Sequence, residues 1–210
     1  MTIDTTTETV GRGVVAPYIS AWSAEELLPC WFMEVPGRGI AYIDEQVTDR
    51  DEHGVLWARM SWAPRQGRPV LGQVHPLRHR QVMRRLHCQV CNGPADRTGN
   101  GVLWLLPDHR EDWPGWPDRM ATTEPPVCLP CVRVASRMCP ALRRGAVAVR
   151  AGRYPVVAVR GGLYVADRIP QVIGDELIAL TDSRIRWTLA HNLVRELGDC
   201  TLIEVADLTK

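Results

Sequence analysis

Lysine is nearly missing from this chain: of 25 basic residues, all but Lys210 are arginine. A GC-rich genome produces such a bias without any physical demand, so the placement of the arginines carries more than their number. Phenylalanine is as scarce, with one residue against eight tryptophans. No stretch approaches the roughly 18 to 20 consecutive apolar residues that a membrane-spanning helix needs. The opening MTIDTTTETVGRG has neither a basic start nor an apolar secretory segment, and the expectation is a cytoplasmic protein. There is no phosphate-binding glycine loop, dinucleotide fingerprint, nucleophile elbow or Ser-His-Asp set. These absences remove the motif arguments for nucleotide chemistry and serine hydrolysis. Solenoid repeats and long low-complexity linkers are missing as well.

What is present suits a globular chain. A hydrophobic content of 45% is enough to bury a core in 210 residues. Near-neutral overall charge conceals a strong segregation. Residues 1–52 carry ten acidic and three basic residues, whereas residues 53–107 carry eight arginines and a single acid, Asp96. Seven cysteines in a chain without a secretion signal point to thiols and metal rather than disulfides. Cys30, Cys139 and Cys200 read as small buried apolar residues.

Residues 1–13 read as a flexible tail and 14–74 as a β-hairpin region. In the latter, AWSAEELLPCW suggests a short helix capped by Ser23, and GIAYIDEQV with VLWARMSW suggests a hairpin. From Pro76 the pattern turns helical and runs into Cys88, so 75–141 forms the next unit. Residues 142–210 read as a small α+β unit. There, Gly161-Gly162 predicts a tight hairpin between YPVVAVR and LYVAD. Ile185, Leu189, Leu193 and Leu197 predict a helix over 184–197, capped by Asp182 or Ser183 and closed by Gly198.

The sharpest signal is Cys88-Gln-Val-Cys91 followed by Cys128-Leu-Pro-Cys131. A Cys-x-x-Cys loop places two sulfurs on one ion, and two loops complete the tetrahedral thiolate set that zinc prefers, with no position left for water. The expected cofactor is one structural Zn2+ on Cys88, Cys91, Cys128 and Cys131.

Knuckle, a GVLWLLP strand, then a CLPCVRVASRMCPAL helix resembles the treble-clef arrangement over about residues 86–141. The resemblance implies an α+β fold with a central treble-clef zinc module between the N-terminal hairpin and helix region and the C-terminal α+β unit. Asp108-His109 in LLPDHRE resembles the HNH endonuclease order. That resemblance implies His109 as general base and Asp108 as metal ligand. Val132, however, follows Cys131 where the family has a polar ligand, which implies a copy without a working catalytic metal site. The whole chain also resembles actinobacterial proteins of no assigned activity that share the paired knuckles and an RWTLAHNLVREL-type segment.

Three functional readings follow. In the first, the chain is a noncatalytic zinc-stabilised module binding DNA or RNA through Arg78, Arg80, Arg84 and Arg85, which can neutralise phosphates. The same arginines could instead face the acidic N-terminal segment. A second reading is a protein-interaction or scaffold module using Trp113 and Trp116 in DWPGWPD. The third is an HNH-type metal-dependent nuclease using Asp108 and His109. His75, His79 and His87 lie along one basic helix, where the simplest reading is an exposed polar face. No membrane partner is expected.

Overall fold

The computed structural model describes residues 9–10, 14–142, 145–167 and 169–209. Among the described residues, strands take up 41% and helices 18%. This overturns the expected α+β class built around a treble-clef module with helical flanks: the protein is mostly β, assembled from several sheets.

In chain order the strands and helices begin with β1 (Thr9–Val10), β2 (Val14–Val15), β3 (Ser20–Trp22), β4 (Phe32–Val35) and β5 (Gly39–Tyr42). There follow β6 (Leu56–Trp57), β7 (Pro69–Val74), α1 (Pro76–Arg85), β8 (Arg97–Thr98), β9 (Gly101–Pro107) and β10 (Ala121–Thr122). The C-terminal half holds α2 (Leu129–Met138), β11 (Ala146–Arg153), β12 (Val156–Val165), β13 (Gln171–Ala179), β14 (Thr188–Glu196), β15 (Gly198–Glu204) and α3 (Val205–Leu208). No helix among the described residues is long and apolar enough to cross a membrane.

Two larger sheets organise these elements. A four-stranded sheet runs β15-β11-β9-β8, and a five-stranded sheet runs β10-β14-β12-β13, with β6 joining β14 in parallel. Short two-stranded ladders pair β1 with β2, β3 with β7 and β4 with β5. The four-stranded sheet ties the cysteine region to the C-terminal residues, because β9 pairs along its length with β11. Strand periodicity sends β9 side chains alternately to two cores. Leu103 and Leu105 join the core beside the cysteines, while Val102, Trp104 and Leu106 join Trp116 and Leu197 on the opposite face. Helix α1 lays Met83 against Val159, Ala190 and Leu193 of the five-stranded sheet.

Several local expectations are corrected. The helix expected over 184–197 is a short 3-10 turn, Ser183–Trp187, followed by strand β14. The cap signal is used, since Asp182 accepts the Arg184 N–H, but it caps only that turn. Gly161-Gly162 does not turn the chain; β12 continues straight through both residues. A Cβ at Gly161 would lie 2.2 Å from the Leu189 carbonyl oxygen, so glycine there admits the close approach of β14. GIAY pairs with Phe32–Val35 rather than with the VLW segment, whose Leu56–Trp57 instead pairs with β14. AWSAEELL forms no helix. Ser23 Oγ accepts the Arg68 N–H and the Glu25 carboxylate turns inward.

Candidate metal centre and the placement of the predicted site residues

Helix α1 delivers the first cysteine pair. It ends at Leu86 in the left-handed region (φ 54°), which turns the chain sharply into Cys88. A tight knuckle follows, with Cys88 N–H donating to Gly93 O at 2.7 Å and Asn92 N–H to Cys88 O at 2.9 Å. Asn92 adopts φ 61°, a conformation asparagine tolerates better than most residues. The second pair sits at the start of α2. Cys128 is its N-cap and Cys131 lies in its first turn, where the helix dipole favours negative sulfur. Backbone bonds lock the two halves together: Gln89 N–H donates to Pro126 O, Asp96 N–H to Val127 O, and Val127 N–H to Leu103 O.

The result is a single cluster. Ligand atoms of Cys88, Cys91, Cys128 and Cys131 all lie within 4.8 Å of one another, a group that can hold a metal ion. Cys88 and Cys131 are buried, while Cys91 and Cys128 are half-buried. Val90, Leu103, Leu105, Val127, Val132 and Leu142 surround them, and Ile203, Val205 and Leu208 close over the same core. Sulfurs this close cannot all ionise alone. Hydrogen bonds from the Cys128 and Cys131 thiols hold Cys91 far below the usual thiol range and lower Cys88 to about 7. Cys131 is pushed up by its hydrogen bonding to Cys128, Cys88 and Cys91. Cys128 is raised as well, the pull of Cys131 being outweighed by Cys88 and Cys91. A bound cation removes that conflict by stabilising every thiolate.

The arginine helix faces inward. Arg78 is 1% exposed. Its guanidinium donates to both Glu25 oxygens at 2.6 and 2.5 Å and to Ser20 O at 2.7 Å. Burial alone would raise the Glu25 carboxyl, but Arg78 and the Trp22 N–H outweigh it and hold the group below its ordinary value. Arg80 lies over the Trp57 ring, 4.8 Å from its centre. Arg84 pairs with Glu52 and Asp51, and only Arg85 of the four is exposed. The acidic N-terminal segment also engages Arg59 through Asp44 and Asp49, and Arg50 through Glu45. The charge segregation of the sequence is thus consumed largely inside the molecule.

His75 and His79 are buried rather than exposed. His79 Nε2 lies 2.7 Å from Thr123 O and donates to it, which leaves Nδ1 to accept the Leu193 N–H. Trp113 is 39% exposed, but Trp116, at 5%, belongs to the core with Trp104 and Leu197, so the two do not form one exposed surface. Asp108 follows β9 and its carboxylate is bound by Arg110. His109 is exposed, 3.7 Å from Asp112, and joins no group of metal-ligand residues among the described residues. Val132, directly after Cys131, is fully buried in the apolar core. Cys30, Cys139 and Cys200 are half-buried.

Sequence reasoning missed a cavity between the N-terminal segments and the five-stranded sheet. It draws on stretches far apart in the chain, so no local motif announces it. No family model matches the chain, and no curated protein or solved structure matches it either.

Proposed function

We propose that the chain is a noncatalytic binding module whose fold is locked by one structural Zn2+ on Cys88, Cys91, Cys128 and Cys131. The observation that carries this reading is the four-sulfur cluster itself. Sulfurs at about 2.3 Å from a tetrahedral zinc stand about 3.8 Å apart, and Cys91 Sγ and Cys128 Sγ are 3.7 Å apart. The donor set is four cysteine sulfurs, a complete tetrahedral complement, and apolar side chains pack around it. Zinc there supplies no reaction; it cross-links the α1 knuckle to α2. Backbone N–H groups of Cys91 and Gly93 support the Cys88 and Cys91 sulfurs and fix their direction.

Elemental analysis of protein purified without chelator tests the proposal. One zinc per chain, with loss of folded structure on chelation and recovery on zinc addition, is expected. Metal-free protein that melts at the same temperature would sink it.

The arginine count overstates the case for a nucleic-acid partner. Arg78 is committed to Glu25 and Arg84 is paired, which leaves a sparse set for phosphates. Binding to duplex DNA or RNA should therefore be weak and show a shallow salt slope. A steep slope, reduced by Arg85→Ala, would restore the nucleic-acid reading.

A further inference from the structure

Between the Leu27–Cys30 segment, β7 and the outer face of β12 and β14 lies a cavity of about 470 Å3. That volume is in the range of small-molecule sites. Leu28, Tyr42, Met60, Tyr164 and Leu189 form apolar walls, and Leu27 at the lip is largely exposed. Polar groups are few: Cys30, Arg59, Gln73, His191 and Asn192 reach the lining.

Two strand glycines border this space and leave it open. Gly72 of β7 and Gly162 of β12 both line the cavity, and neither has the positive φ that would demand glycine. A Cβ at Gly72 would meet no atom within 4 Å. One at Gly162 would touch only Val172 and Tyr164, at 3.4 and 3.5 Å. Glycine inside a strand costs stability and contributes no packing. Gly72 lies where β7 loses register with β3, so a bulge accounts for it; Gly162 stays paired with Asp175 and Leu189, and there the open volume is what glycine provides.

The lining also restricts charge. Arg59 is neutralised by Asp44 and Asp49, and its guanidinium lies 4.0 Å from the centre of the Tyr42 ring. His191 is flanked by Asp175 Oδ1 at 2.8 Å and Asn192 Oδ1 at 2.7 Å. Burial pushes the Cys30 thiol and the Tyr42 and Tyr164 hydroxyls upward, which keeps all three protonated at neutral pH. No unpaired charge is offered to a ligand; both His191 ring nitrogens are taken, by Asp175 and by Asn192 Oδ1, and the Asn192 side-chain N–H2 remains as the donor at that end.

The geometry points to a binding site for an uncharged small organic molecule, with a flat or branched apolar body and one hydrogen-bond acceptor directed at the Asn192 amide. The site shares no residue with the cysteine cluster and does not depend on the zinc reading.

Prodan, an uncharged naphthyl ketone whose emission shifts to the blue in apolar surroundings, is the probe. Titration into the zinc-loaded chain should give saturable, blue-shifted emission at one site per chain. It should also slow alkylation of Cys30 by N-ethylmaleimide, followed by peptide mass spectrometry. Gly72→Leu fills the cavity from β7 and should weaken prodan binding at least about tenfold, with zinc content and melting temperature retained. Gly72→Ala, a smaller intrusion, should give an intermediate loss. Absence of saturable binding would overturn the proposal. So would binding that Gly72→Leu leaves unchanged, or tighter binding of the anionic anilinonaphthalene sulfonate with equal protection of Cys30.

Discussion

The two large sheets solve the same problem by different chemistry. The four-stranded sheet buries apolar side chains on both faces, with the cysteine cluster on one side and Trp104 and Trp116 on the other. The five-stranded sheet is held against its neighbours by buried polar groups. His79 bridges Thr123 and Leu193, Arg195 donates to the Met83 and Tyr154 carbonyls, and α1, which packs on this sheet, is itself tied to the N-terminal segment by Arg78 and Glu25. It also leaves Val172, Ile173 and Leu177 of its edge strand β13 exposed and carries the cavity. Apolar packing around a metal centre is indifferent to a missing charge but depends on its ligands. A polar seam is the reverse: each partner left alone in a dry interior costs more than the pair contributes.

The largest effect should come from the cysteines. Cys131→Ser removes one thiolate from the set, and structural zinc supplies on the order of 10 kcal/mol of folding free energy. That is comparable to the whole stability of a domain, so the variant should lose zinc and unfold around α2, β9 and β11. Hydrogen exchange checks the contrast between the sheets. Protection should vanish first in β9 and β11 and persist longer in β12 and β14. Equal loss in both sheets would mean that they form one cooperative unit.

Next comes the polar seam. Arg78→Ala leaves the Glu25 carboxylate buried without its partner, which typically costs about 3–5 kcal/mol. Arg78→Met with Glu25→Gln in the same chain removes both charges and should recover much of that loss. Urea midpoints of the three proteins measure it. A single variant as stable as the parent would show that water reaches Glu25 and that the seam is not dry.

Which of these features could be read from the sequence follows from how local their causes are. Each Cys-x-x-Cys pair, the helix from Pro76, the GVLWLLP strand and the helix after Cys128 is specified within about ten residues, and each forms. The segment 185–197 misleads because a spacing of four satisfies both a helix and a strand. Pairing with β12 decides for the strand, and its register shift between Arg160 and Gly161 sends Leu189 to the core around Ile40 and Leu56 and Leu193 to the core around Met83. Gly161-Gly162 misleads because a turn and a close backbone approach both demand glycine. The charge blocks are visible in the sequence, but whether arginines meet phosphate or a carboxylate 53 residues away depends on tertiary contact.

The smallest effect is the pH response of His79. Burial lowers its pKa from 6.5 to about 4, outweighing the hydrogen bond to Thr123 O, and nearby His191 lowers it further. Because the unfolded chain takes up the proton near pH 6.5 and the folded chain only near 4, the unfolded state binds more protons between these values. Stability is therefore complete above about pH 6.5 and falls as the pH drops towards 4, by about 3 kcal/mol in all. Thiolate ligands also protonate in acid and release metal, so the parent alone does not isolate the histidine. His79→Gln keeps a donor for Thr123 O without a titrating ring. The difference in urea midpoint between parent and variant should favour the parent more at pH 7.5 than at pH 4.5, with metal loss common to both. A difference that does not change with pH would place the acid sensitivity in the cysteine centre, and the polar seam would then owe its strength to Arg78 rather than to the neutral imidazole.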